Sequence, residues 1–139
     1  MSPSIQRPDA VTVPESVEAF LTGTALVAAF TTPRPNGTPH VAPVRFTWDA
    51  AAGLARVMTV SSSRKARNLL AAPGSRVALC QVDGFRWVTL EGTGTVVTDP
   101  ARVELGARLY ARRYWSAPPT PPGRVVIEIT VDHLLSLNA

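Results

Sequence analysis

Thiol, lysine and long apolar runs are all scarce in this chain. A single cysteine among 139 residues, Cys80, rules out an intrachain disulfide and agrees with a reducing compartment. It sits inside "RVALCQV", where a small core residue is expected. Two histidines, His40 and His133, lie at no metal-ligand spacing from each other or from Cys80, so no zinc site is expected. No apolar stretch approaches the ~20 residues of a membrane span. The start, "MSPSIQRPDAVTVPES", has no apolar core of the signal-peptide kind, and the expectation is a cytoplasmic protein with no membrane partner.

Catalytic signatures are missing too. There is no Gly-x-Ser-x-Gly elbow with an acid–base partner, and Glu91 and Glu128 are not marked as an acid–base couple. "GTGT" at 92–95 lacks a third glycine and a following helix, so it is no dinucleotide fingerprint. An enzyme built on this chain would need an organic cofactor to carry the chemistry.

What is present is a globular composition, 45% apolar and 17% charged, without like-charge runs or repeats, which predicts a single domain over 1–139. Net charge is +4, which favours an anionic partner. The cations are scattered except for two groups, Arg64, Lys65, Arg67 and Arg108, Arg112, Arg113. Two compact groups suit a small polyanion better than nucleic acid, whose readers gather cations and aromatics on one face.

"VPESVEAFL" predicts a short opening helix, with Val13, Val17, Phe20 and Leu21 at spacings of three and four. The cluster Pro33, Pro35, Asn36, Gly37 turns a hairpin spanning residues 25 to 48. In its second arm His40, Ala42, Val44, Phe46 and Trp48 share one face, with Val41, Pro43, Arg45 and Thr47 on the other. Pro43 marks that arm as an edge or a bulge. "LARVMTV" is a strand, "SSS" a polar stop, and "RKARNLLAA" a helix.

"RVALCQV" and "RWVTLEGTGTVVTD" form a second hairpin, with Gly92 and Gly94 allowing a bend. Asp99 and Pro100 open a helix whose packed stripe is Val103, Ala107, Tyr110 and Tyr114, with Arg108, Arg112 and Arg113 largely off that stripe. After the stiff connector "SAPPTPPG", "RVVIEITV" closes the chain, with Val125, Ile127, Ile129 and Val131 on one side. The expected fold is mainly β, a six-stranded antiparallel split β-barrel with about three flanking helices.

One stretch points to chemistry. In "VMTVSSSRKARNLL" three hydroxyls, the amides of a helix start, Arg64 and Lys65 make a phosphate-sized anion site, and the one lysine among fourteen basic residues supplies a compact point charge. The alternative is a serine-capped helix with solvated cations.

"GTPHVAPVRFTWD", "VMTVSSSRKARNLLAAPGSRVAL" and "RWVTLEG" resemble, in order, the landmark segments of the flavin and deazaflavin split β-barrel proteins, the pyridoxamine phosphate oxidase superfamily. "ALCQVDGFRWVTLEG" followed by "ARLYARRYWSAPPTPPGRVVIEI" is similar to the actinobacterial F420-dependent biliverdin reductases. The ending "HLLSLNA" lacks the basic, aromatic tail of the vitamin oxidases.

The resemblance implies a homodimer holding coenzyme F420 between subunits, with FMN as the alternative. It implies Thr59, Ser61, Ser62, Ser63, Arg64 and Lys65 at the phosphate, and Arg67 and Asn68 beside them. His40, Val41, Ala42 and Pro43 would lie along the ring, with Trp87 at the ring or at the neighbouring subunit's substrate. It further implies hydride transfer from F420H2 to a conjugated small molecule, biliverdin above all, with Arg45, Arg112 and Arg113 clamping its carboxylates. The rival readings are a reductase of another unsaturated compound and a carrier that binds cofactor or tetrapyrrole without turnover.

Overall fold

The computed structural model describes residues 11–139; the reading of the first ten residues as free of a signal core lies outside them. Three helices and seven strands follow in the order α1 (Glu15–Gly23), β1 (Ala28–Pro33), β2 (Pro39–Val44), β3 (Thr47–Asp49), β4 (Leu54–Val60), α2 (Arg64–Ala71), β5 (Ser75–Asp83), β6 (Arg86–Val97), α3 (Pro100–Tyr114) and β7 (Arg124–Leu137). The strands form one antiparallel sheet in the order β2-β1-β5-β6-β7-β4-β3, and it does not close into a ring of ladders.

Six strands become seven because the second arm of the first hairpin breaks. It ends as β2 at Val44, bends through Arg45 and Phe46, and resumes as β3. The alternation expected across the break fails with it: Phe46, Thr47 and Trp48 are all buried. β3 is covered on both sides, since α1 and α3 both pack near it. The bend makes the two edges of the sheet neighbours in sequence. Among the described residues β2 is an edge strand, paired with β1 alone, which accommodates Pro43.

β6 and β7 are the long curved strands, and their register shifts between Glu91 and Gly92. A side chain at Gly92 would collide with the Thr130 carbonyl, so close backbone approach, not bending alone, requires glycine there. At Gly94 a Cβ would stand 3.1 Å from Leu69 Cδ1, so that position keeps room for α2 to plug the sheet. Leu69 is fully buried there.

The core gathers Phe30, Phe46, Leu79, Leu90, Ile127 and Ile129 with Leu21 of α1. β7 is buried on both faces from Val125 to Ile129, because α3 covers the side opposite the core. Cys80 departs from expectation. It is only partly buried, on the outward face of β5 and not in the core.

Candidate functional site

β4 runs out at Val60 into the serine loop, and α2 starts at Arg64. Ser63 is the helix cap: its hydroxyl donates to the Val60 carbonyl at 2.9 Å, accepts from the Ala66 amide at 3.3 Å, and accepts from Thr59 Oγ1 at 3.0 Å. Of the three serines only Ser63 caps the helix, and the hydroxyls of Ser61 and Ser62 are left unengaged by side-chain hydrogen bonds among the described residues. The Ser61 amide is tied to the Gly123 carbonyl at 2.9 Å, which fixes the loop against the end of the proline connector.

Lys65 is half buried on the first turn of α2 and forms no ion pair among the described residues, so burial pushes its ammonium below the usual lysine range. Arg64 and Arg67 lie on the exposed side of the same helix. Across the loop stands His40 of β2. Burial, then the positive charges of Arg34, Lys65 and Arg64, push its imidazole below the usual histidine range. The ring is therefore neutral at pH 7, and its Nδ1 is buried with no hydrogen-bond partner among the described residues.

An unneutralised half-buried ammonium, two spare hydroxyls and an orphaned imidazole nitrogen facing one loop are what an anionic ligand with a polar ring would satisfy. Ala42 shares the inward side of β2 with His40, while Val41 and Pro43 are exposed on the outward side.

The remaining sequence candidates divide. Asn68 is buried and donates through Nδ2 to Thr32 Oγ1 at 3.0 Å, so it joins α2 to β1, while its Oδ1 is buried with no hydrogen-bond partner among the described residues. Arg113 is a correction to the proposed substrate clamp. It is buried, and its guanidinium donates to the carbonyls of Thr24 and Phe46 and, at 2.7 Å, to Gln81 Oε1. The helical pattern put it off the packed stripe, but the end of α1 and the bend at Phe46 bring the Thr24 and Phe46 carbonyls to it, each with room for a second donor.

Arg112 is exposed and lines a separate cleft of about 200 Å³ with Thr22, Thr47 and Trp48. Arg45 is exposed at the bend, stacks 5.0 Å over the Tyr114 ring, and donates to the Tyr110 hydroxyl at 2.9 Å. Arg45 and Arg112 are not brought together. Trp87 lies on the outward face of β6, three strand spacings, about 14 Å, from β2.

Sequence reasoning missed the polar role of Tyr110, which it assigned to packing, and did not single out Arg124. A guanidinium at Gly123–Arg124, directly after the prolines, was the available signal.

The family described as pyridoxamine 5'-phosphate oxidase matches residues 13–138. The chain belongs to that family. It is also 42% identical over 117 residues, 84% of this chain and 82% of the relative, to the F420H(2)-dependent biliverdin reductase of Mycobacterium tuberculosis. Among solved structures an F420 reductase superposes with a TM-score of 0.69 at 27% identity, over 88% of this chain and 98% of the other. A conserved hypothetical protein from Mycobacterium tuberculosis superposes with a TM-score of 0.73 at 24% identity, over 95% of this chain and 88% of the other.

Proposed function

We propose that this chain is an F420H2-dependent reductase acting on a conjugated tetrapyrrole, biliverdin by likeness, in the cytoplasm, and that the curled sheet is the family's split barrel in a single cofactor-binding domain. The observation that carries this reading is the 42% identity to a reductase of that activity. It joins to the free ammonium of Lys65 and the orphaned Nδ1 of His40 at one loop.

Ser61, Ser62 and Lys65 bind the phosphate, Thr59 and Ser63 hold the loop in shape, and Arg64 and Arg67 add a positive field. His40, Val41, Ala42 and Pro43 lie along the ring. Among the described residues no strand pairs with the free side of β2, so its backbone groups there are open to a ligand. The reduced deazaflavin supplies the hydride when bound. Arg45, held by two tyrosine rings, is the cation at the substrate side. His40 is neutral at pH 7 and orients the ring by a hydrogen bond rather than acting as an acid.

The proposed state is a homodimer. Strand registers align Val82, Trp87 and Leu137 in one row, and Pro43, Ala29, Cys80, Thr89 and Leu135 in the next, on the outward face of the sheet. Val82, Leu135 and Leu137 are exposed there, a contiguous apolar surface of the kind that a second copy covers. Covering it would exclude water from the ring and bring Trp87 of one copy towards β2 of the other.

The deciding test is titration of the purified protein with F420 and with FMN, then absorbance of F420H2 mixed with biliverdin. Tight F420 binding and protein-dependent oxidation of F420H2 are expected. Tight FMN binding with none of F420 would replace the coenzyme, and binding without turnover would make the protein a carrier.

A further inference from the structure

Beside the serine loop, between β4, α3 and the connector, lies a slot of about 240 Å³ lined by Met58, Thr59, Tyr110, Pro118, Pro119 and Arg124 among others. It shares Thr59 with the loop, and Gly123 beside it binds the Ser61 amide. Its walls are mostly apolar and stiffened by prolines, so it keeps its shape without a ligand.

Arg124 is the charge at this slot, and it is poorly neutralised. Its side chain is only 17% exposed, yet its partners among the described residues are the Pro119 carbonyl at 3.3 Å and a carboxylate oxygen of Glu104 at 3.9 Å, on a side chain 63% exposed. The contrast with Arg113, whose donors are taken by two carbonyls and an amide oxygen, is plain. A second guanidinium stands near, since the Tyr110 hydroxyl in the slot wall accepts from Arg45. The volume falls below the roughly 300–1,000 Å³ of pockets that enclose a whole small ligand, so the slot suits an appendage and not a ring system.

We propose that this slot holds a carboxylate-bearing arm of the bound ligand, with Arg124 as its principal counter-ion and Arg45, positioned by Tyr110, as the second. The proposal rests on the reductase reading above, and the arm comes either from the coenzyme's glutamate tail or from a propionate of the bilin.

Wild type, Arg124→Gln and Tyr110→Phe are titrated with F420 and with FMN, which shares the phosphate but carries no carboxylate arm. KM is then measured for biliverdin and for its dimethyl ester. Loss of a charged hydrogen bond predicts about tenfold weakening or more of the carboxylate ligand only. Weaker F420 binding with FMN unchanged assigns the slot to the coenzyme tail. A raised KM for biliverdin with the diester unchanged assigns it to the bilin.

Affinities and KM values that stay flat in both variants, or equal losses for F420 and FMN, overturn the proposal. Should Arg124→Gln melt at markedly lower temperature, Tyr110→Phe, which removes only a hydroxyl, carries the same comparison. Wild type that binds no F420 would instead overturn the reductase reading and the slot with it, a result seen before any variant is made.

Discussion

Replacing Lys65 by alanine separates binding from stability. The ammonium is half buried with no counter-ion among the described residues, and burial lowers its pKa, so the empty protein carries a desolvation cost at neutral pH. The substitution removes that cost, so the melting temperature of the ligand-free protein should hold or rise. A phosphate bound at Ser61 and Ser62 would lose a charge-assisted hydrogen bond of about 1.5–3 kcal/mol, which is about 10- to 150-fold in Kd.

The pH dependence follows with a definite sign. The anion binds the protonated amine, so affinity is full below Lys65's lowered pKa in the free protein and falls as pH rises through it, beginning beneath the ordinary value of 10.5. Lys65→Ala should flatten that limb. Fluorescence titration of F420 from pH 6 to 10, paired with thermal melting, measures both. Unchanged Kd with a normal pH limb, or a large fall in melting temperature, would refute the anion-site reasoning and return the loop to a capped helix with solvated cations.

Arg113→Leu should destabilise by about 1–3 kcal/mol, because it leaves the buried Gln81 Oε1 without its donor and takes one donor each from the Phe46 and Thr24 carbonyls; the urea midpoint reads this, and an unchanged midpoint with a raised substrate KM would return Arg113 to the substrate clamp. Leu69→Ala should cost roughly 2–5 kcal/mol and loosen α2, seen as faster amide exchange of Arg64–Ala71. Leu135→Glu on the outward sheet face should turn the proposed dimer into a monomer by sedimentation and cut F420 binding; a variant that sediments like wild type would move the interface elsewhere.

The elements were legible where one period dominated. α1, α2 and α3, the β5–β6 hairpin and the serine loop all follow from spacing, caps and turn residues. The break at Arg45–Phe46 was not legible, since alternation continues through it on paper. What ends β2 is the approach of α3, whose Tyr114 hydroxyl accepts the Phe46 amide at 3.1 Å.

Arg113 was misread for a related reason. Helical periodicity ranks a residue by its own helix, while burial here is set by carbonyls 67 and 89 residues away. Cys80 was placed inside because its neighbours are apolar, but a strand with an apolar outward face reads the same as a core strand. Lys65 carried its signal by being alone in type.

The short bend between Val44 and Thr47 is a covalent latch between two free strand borders. Cleavage or a circular permutation there would let both borders drift apart and offer unpaired amides to other molecules. A nick at this one point should therefore produce sticky, self-associating material, whereas opening the proline connector would leave both borders tethered.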